Sequence, residues 1–139
     1  MQMNELWVWI LLILTTIFMH IVDDFYLQGS LAQMKQKSWW LDHPSYNDMY
    51  KYDYIVALIT HGFSWSFMIH LPSFLLMVYF KEITNASSII LLLLVLMQAE
   101  LHSIVDHLKA NKKYINLVTD QTLHMIQIII SLYIIWHLV

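Results

Sequence analysis

The chain has 139 residues, of which 59% are hydrophobic and only 12% are charged. Soluble proteins carry about 25% charged residues, so this composition excludes an ordinary water-soluble domain. Seven lysines, no arginine and a net charge of −3 argue against nucleic acid as a partner. The absence of cysteine excludes disulfides and thiolate-metal sites. We therefore expect the protein to act within or at a lipid bilayer.

Four apolar stretches are each close to the ~20 residues that a helix needs to cross a bilayer. The first, at about 6–23, lacks the basic start and the small-residue cleavage site of a signal peptide, so we expect it to remain as a span. The others lie at about 54–80, where Pro72 is expected to kink the helix, at 87–105 and at 121–139. The pattern predicts an all-α fold: one polytopic membrane helical bundle of four transmembrane helices that covers residues 1–139.

Six of the seven lysines fall in two of the three connections. They are Lys35, Lys37 and Lys51 in the linker 29–53, and Lys109, Lys112 and Lys113 before the fourth stretch. Because cytoplasmic loops carry excess positive charge, we predict a bacterial inner-membrane protein with both termini outside. Part of the first linker, about 30–41, is predicted to lie along the membrane surface as an interfacial helix.

The ionisable residues of the spans collect at their lysine-rich ends. Residues four apart share one face of a helix, and His–Asp pairs with this spacing occur in the first, third and fourth spans. Since successive spans alternate in direction, the three pairs and one histidine of the second span should converge at one depth. The seven residues are His20, Asp24, His61, His102, Asp106, Asp120 and His124.

Buried imidazoles and carboxylates cost on the order of several kcal/mol each unless they are paired, hydrated or coordinated. A divalent metal would compensate them, and ligands without thiolates suit zinc, with manganese, iron or nickel as alternatives. Seven candidates suffice for one ion or two, and such a site could activate water at neutral pH. The competing interpretation is that the pairs are interhelical hydrogen bonds without any metal or reaction.

The remaining acids and histidines are assigned from their positions. Glu100 lies two positions before His102 and therefore points to another part of the helix, where it is a candidate general base or proton carrier. Asp106 is the other candidate for a catalytic acid or base. The other histidines are expected to lie outside the site, in linkers, in packing positions or at the opposite face: His43, His70, His107 and His137.

A series of short motifs runs in order along most of the chain. They are His20-x-x-x-Asp24-Phe25-x-x-Gln28, Met34-Lys35, His61, His102-x-x-x-Asp106-x-x-Lys109 and Asp120-Gln121-x-x-His124. This series resembles that of domain-of-unknown-function family 3307, which comprises small polytopic membrane proteins of bacteria and their phages. The arrangement is also similar to that of inner-membrane proteins described as metal-dependent hydrolases. The first linker is longer than that family leads us to expect.

The resemblance distinguishes Asp23 from Asp24 as the acid paired with His20, which helical spacing alone does not do. Asp23 and Asp24 both share the face of His20, at three and four residues, and the resemblance implies that Asp24 is the acid of this pair. Five polar residues then become candidates for contacts with the ligands or with the substrate. They are Asp23, Gln28, Lys35, Lys109 and Gln121.

The leading functional hypothesis is an intramembrane metal-dependent hydrolase that opens to the cytoplasmic face and acts on a lipid-like or amphiphilic substrate. Lys35 and Lys109 could bind a phosphate or carboxylate head group. One alternative is an ion- or proton-handling membrane carrier or regulator. Another is a non-catalytic membrane partner protein in which a polar or metal cluster only holds the helices together. The expected partners are the lipid bilayer and, for a bundle of this kind, further copies of the chain in a homo-oligomer.

Overall fold

A computed structural model describes residues 3–42, 48–80 and 83–138, with side chains from residue 5 onward. Every regular element in these ranges is a helix. The helices are α1 (Met3–Ile21), α2 (Leu31–Met34), α3 (Lys37–Leu41), α4 (Asp53–Phe80), α5 (Asn85–His107) and α6 (Leu117–Trp136), with a 3₁₀ turn at Asp48–Tyr50 before α4. The all-α prediction is confirmed. The predicted end of the last span at Val139, and His43 in the first linker, lie outside the described residues.

Four helical segments are long and apolar enough to cross a membrane. They are Glu5–Leu27, Asp48–Phe80, Asn85–Lys112 and Leu117–Trp136. Each carries large apolar side chains on its outer surface, such as Leu11, Phe67, Leu92 and Ile129, all of which are exposed. Apolar side chains on the outside of a bundle suit contact with lipid. The predicted four-span membrane bundle is therefore confirmed.

The first and third spans extend past their predicted ends because each continues as a π-helical turn. The turn Val22–Leu27 follows α1, and Leu108–Lys112 follows α5. In the first turn the amide of Gln28 donates to the Asp23 carbonyl at 3.2 Å, which is the wider hydrogen bond of a π-helix. Asp23 and Asp24 are both buried in this turn. The altered spacing therefore brings two adjacent carboxylates into the bundle.

The first linker differs from the single interfacial helix predicted at 30–41. It forms two short helices, α2 and α3, which are separated at Gln36 by extended backbone with φ −91° and ψ 121°. Helix α2 packs against α4. The division has a physical cause, since Lys35 at the end of α2 is buried and its ammonium group reaches Asp106 in α5. The linker thus contributes a side chain to the interior.

Helices α4 and α5 form the most extensive contact of the bundle and lie close together at Gly62. A Cβ atom at this position would lie 2.2 Å from Ser103 Oγ and 2.6 Å from the Ala99 carbonyl oxygen. Only glycine fits here without a shift of backbone. The close approach places His61 beside His102, with ring centroids 5.0 Å apart. Helix α4 continues past Pro72 to Phe80.

Candidate metal centre

The seven residues predicted to converge do lie together inside the lysine-rich end of the bundle, where Lys35 and Lys109 are found. They come from α1 and its π turn, from α4, from α5 and from α6. Each is at most 6% exposed. They are His20, Asp24, His61, His102, Asp106, Asp120 and His124. Helical spacing and alternating span direction were therefore sufficient to predict this meeting of four helices.

Four donor atoms of this cluster face one another across α1, α4 and α5. Asp24 Oδ1 lies 3.2 Å from His61 Nε2 and 3.7 Å from His102 Nε2. Asp106 Oδ2 lies 3.5 Å and 3.8 Å from the same two nitrogens. A tetrahedral zinc ion, with bonds of about 2.0–2.2 Å, holds its ligand atoms about 3.3–3.6 Å apart. Asp24, His61 and His102 could therefore hold a metal ion, with Asp106 beside them.

A second group of donors adjoins the first. His124 Nε2 lies 3.7 Å from Asp106 Oδ1 and 3.5 Å from Asp120 Oδ1. The His124 ring stacks on His102 with centroids 4.1 Å apart, and its Nδ1 pairs with Gln127 Oε1 at 3.0 Å. This contact turns Nε2 toward the carboxylates. His102, Asp106 and His124 also meet the geometry for a metal ion.

Several buried atoms of the cluster have no hydrogen-bond partner among the described residues. They include both ring nitrogens of His102, Nε2 of His124 and Oδ1 of Asp120. A buried polar atom without a partner costs about 1–3 kcal/mol. Nε2 of His102 and Nε2 of His124 lie 3.8 Å and 3.7 Å from the two oxygens of Asp106, so a cation between these groups would satisfy several buried atoms at once. This distribution fits metal ligands better than a completed hydrogen-bond network.

The site also carries an excess of negative charge that a cation could balance. Four buried carboxylates meet here: Asp23, Asp24, Asp106 and Asp120. Two ammonium groups contact them, with Lys35 Nζ 2.6 Å from Asp106 Oδ2 and Lys109 paired with Asp120. When the histidines are neutral, four negative and two positive charges leave a net charge of −2. A divalent ion would balance this charge, whose burial is otherwise costly.

Both lysines that were candidates for contacts with the ligands or with a substrate head group bind carboxylates in this structure. Lys35 is only 6% exposed, whereas the Lys109 side chain is 28% exposed beside the bundle surface. Asn111 accepts from the amide of Lys37 at 2.6 Å and donates to the Lys35 carbonyl at 2.9 Å. The first linker is thus tied to the end of α5, and Lys35 is held in place.

The two glutamines near the motifs have different roles. Gln121 Nε2 donates to Asp24 Oδ2 and to Asp120 Oδ2, both at 3.1 Å, and so connects two candidate ligands. Gln28 donates to the backbone carbonyl of Asp24 within its own helix. Gln121 therefore positions the ligands through their carboxylates, while Gln28 supports the π turn.

Asp23 and Asp24 take opposite sides of one imidazole. Asp24 faces Nε2 of His61, and Asp23 Oδ2 lies 3.5 Å from its Nδ1. Asp23 also accepts from Ser64 Oγ at 2.6 Å. A carboxylate behind a ligating histidine fixes its orientation and raises its basicity. The geometry thus favours Asp24 as the ligand and Asp23 as the residue that supports His61.

His20 does not have the geometry of the ligand that its spacing predicted. Its Nδ1 accepts a hydrogen bond from the indole N–H of Trp65 at 2.8 Å. A neutral imidazole that accepts at Nδ1 carries its proton on Nε2, so no lone pair remains for a metal. With Nδ1 bound to Trp65, His20 offers no donor atom to an ion in this arrangement. It instead holds Trp65 beside the cluster.

Glu100 lies apart from the cluster, so the structure does not support its predicted catalytic role. It is exposed on the outer face of α5 and lines a cavity of about 620 Å³ between α4 and α5. Two residues along a helix correspond to a rotation of about 200°, which turns Glu100 away while His102 faces inward.

His70 is buried farther along α4, where its Nδ1 lies 2.7 Å from the Ser66 carbonyl oxygen.

Three residues that were not predicted from the sequence contact the cluster or the adjoining Asp23. Trp65 is fully buried and stacks on His102, while Ser64 binds Asp23 and Gln127 binds His124. Ser64 and Trp65 follow His61 by three and four residues, and Gln127 follows His124 by three. The helical spacing that identified the ligands also applies to these supporting residues.

Comparisons with protein-family models, with curated proteins and with solved structures find no match for this chain.

Proposed function

We propose that the protein is a metal-dependent hydrolase embedded in the bacterial inner membrane. The observation that carries this proposal is the set of four donor atoms from Asp24, His61, His102 and Asp106, whose recorded nitrogen–oxygen distances are 3.2–3.8 Å. Zinc is the ion that best suits two imidazoles with carboxylates, with manganese, iron or nickel as alternatives.

The donor set is compatible with hydrolysis because three protein ligands leave a position for water. Asp24, His61 and His102 supply the number of ligands found in catalytic zinc sites. A divalent ion makes bound water able to lose a proton near neutral pH. Asp106 Oδ2 faces the three ligands and can accept that proton or complete the coordination.

The position of the site supports a lipid-like or amphiphilic substrate. The cluster lies inside the membrane-spanning bundle, at the end that carries Lys35 and Lys109. Positive charge at this end favours a cytoplasmic location, with both termini outside. The Lys109 side chain is partly exposed beside its pair with Asp120, so positive charge at this end can attract the anionic head group of a molecule that approaches along the membrane surface.

Metal content is the first test of the proposal. The detergent-purified protein is loaded with zinc, dialysed and analysed for elements beside the His61→Ala/His102→Ala variant. Glu100→Gln is the matched control, since it removes an acid from α5 outside the cluster. We expect bound zinc in the wild type and the control, and its loss in the double variant with helicity retained by circular dichroism. A metal-free wild type after loading would refute the proposal.

Activity is the second test. Metal-loaded protein in mixed micelles is assayed against lipid phosphates, carboxylic esters and peptides. Removal of a group that transfers a proton or binds the ion costs about 10²–10⁴-fold in rate, so Asp106→Asn should lose turnover by this factor while Glu100→Gln keeps it. Equal turnover by wild type and Asp106→Asn would remove Asp106 from the mechanism.

A second candidate function, an ion or proton carrier, is favoured by polar side chains buried deeper in the bundle. Gln98 donates to Ser131 Oγ at 3.0 Å and to the Gln127 carbonyl at 3.2 Å. His70 Nε2 and Ser73 Oγ have no hydrogen-bond partner among the described residues. Such groups can mark a relay within a membrane. Metal or proton flux into proteoliposomes that disappears in His70→Ala would support this function, and absence of flux would exclude it.

A further inference from the structure

The two oxygens of Asp106 face different sets of ligands. Oδ2 lies 3.5 Å from His61 Nε2 and 3.8 Å from His102 Nε2, whereas Oδ1 lies 3.7 Å from His124 Nε2. The Asp106 carboxylate therefore lies between the two histidines His61 and His102 on one side and the donor atoms of α6 on the other. A carboxylate in this position can bind two ions, one through each oxygen, as in the carboxylate-rich centres of helical bundles.

We propose that His124, Asp106 and Asp120 hold a second divalent cation, with Asp106 as the bridge, and that the resulting two-metal centre takes a phosphate ester. This inference rests on the first metal site of the proposed function and extends it. Two-metal sites have ions about 3.5–4 Å apart and stabilise both the attacking and the leaving oxygen of a displacement.

His124 and Asp120 each have one donor atom without a hydrogen-bond partner among the described residues and a second polar atom that is hydrogen-bonded. His124 Nε2 and Asp120 Oδ1 are buried and have no hydrogen-bond partner among the described residues. Gln127 binds the opposite nitrogen of His124, and Lys109 and Gln121 bind the opposite oxygen of Asp120. Each donor thus has a supporting contact behind it, which is the arrangement that orients metal ligands.

The charge of a two-metal centre indicates the class of substrate. Two divalent ions would change the net charge of the cluster from −2 to +2, since the carboxylates and the two lysines stay the same. A phosphate monoester carries close to two negative charges at neutral pH and would restore balance. Three protein donors at the second ion leave a position for one of its oxygens.

The reaction consumes only water. The water oxygen forms a bond to phosphorus as the ester P–O bond breaks, and the proton of the water passes to the leaving oxygen. The products are an alcohol and inorganic phosphate. A lipid phosphate and a soluble alkyl phosphate offer the same chemistry to the site, so the experiment must compare them.

Metal stoichiometry tests the second site. Apo-protein in detergent is titrated with Mn²⁺ by calorimetry and followed by electron paramagnetic resonance. The wild type should bind two ions with a spin-coupled spectrum, while Asp120→Asn and His124→Ala should bind one ion with an uncoupled six-line spectrum. Glu100→Gln should bind two. Because asparagine has nearly the same shape as aspartate, Asp120→Asn still tests the second site if His124→Ala fails to fold. One ion in the wild type and in both variants would overturn the second site and leave the first intact, whereas no ion in the wild type would overturn both.

Phosphate release tests the substrate class. Protein loaded with one or two equivalents of Mn²⁺ is assayed with a short-chain phosphatidic acid in mixed micelles, with a soluble alkyl phosphate, and with a carboxylic ester of the same chain. We expect phosphate release only when the second equivalent of Mn²⁺ is present. Release from phosphatidic acid alone would mean that the substrate must be held in the membrane, and release from both phosphates would mean that a soluble substrate can also reach the site. Cleavage of the carboxylic ester without phosphate release, or full activity with one ion, would overturn the proposal.

Discussion

Trp65 lies against His102 with ring centroids 4.2 Å apart and planes inclined by 21°. Trp65 belongs to α4 and His102 to α5, so the stacked pair joins the two helices beside the candidate metal ligands. The indole N–H of Trp65 also donates a hydrogen bond to His20 in α1. One aromatic side chain therefore connects three spans at the depth of the cluster.

Substitution of Trp65 should separate its hydrogen bond from its packing. Trp65→Phe keeps a ring against His102 but leaves His20 Nδ1 without its donor, which should lower the free energy of unfolding by about 1–3 kcal/mol. Trp65→Ala also leaves a cavity and should cost about 3–5 kcal/mol. Denaturant unfolding in detergent measures both. Equal stability of Trp65→Phe and wild type would mean that the hydrogen bond to His20 contributes little.

Gly62→Ala should disrupt the site without changing any ligand. The added methyl group would meet Ser103 Oγ and the Ala99 carbonyl, so α4 must move away from α5. We expect a loss of about 1–3 kcal/mol in stability and weaker zinc binding, because His61 and His102 lie on opposite sides of this contact. Thr60→Ala, at an exposed position two residues away, serves as the control. Unchanged zinc affinity in Gly62→Ala would show that the two helices can adjust.

Lys35→Ala should destabilise the metal-free protein more than the metal-bound protein. Removal of one partner from a buried ion pair costs about 3–5 kcal/mol, because Asp106 would remain charged without its ammonium group. A bound divalent ion supplies positive charge at the same place and should reduce this loss. Thermal unfolding with and without zinc measures the difference. Lys37→Ala is the matched control, and equal behaviour of the two variants would contradict this electrostatic role.

The membrane orientation can be tested because the chain has no cysteine of its own. Lys112→Cys and His137→Cys place single thiols at exposed positions near opposite ends of the bundle. A maleimide that cannot cross the inner membrane should label residue 137 in intact cells and residue 112 only after permeabilisation. The reverse pattern would place the lysine-rich end outside.

The spans and the convergence of the candidate ligands could be predicted from sequence because both depend on local periodicity. Hydropathy and length locate the four helices, and a spacing of four residues places His102 with Asp106, and Asp120 with His124, on one face. Alternating direction then brings these faces to one end. Glu100 follows the same rule, since a position two residues from an inward-facing histidine is directed outward.

The features that were not predicted depend on contacts between distant parts of the chain or on departures from α-helical geometry. The resemblance made Lys35 a candidate for contact with the ligands or the substrate, but it lies 71 positions from Asp106, and no local pattern reveals the buried ion pair between them. The role of His20 changes because Trp65 occupies its Nδ1. Asp23 and Asp24 are buried in a π turn, which hydrophobic periodicity does not distinguish from an α-helix.

The π turn Val22–Leu27 also limits how the length of the chain can vary. A deletion of one residue here would restore α-helical pitch and rotate everything that follows by about 100° relative to α1. Asp24 would then leave His61, and α2 would carry Lys35 away from Asp106. Insertions and deletions in natural variants should therefore avoid this turn.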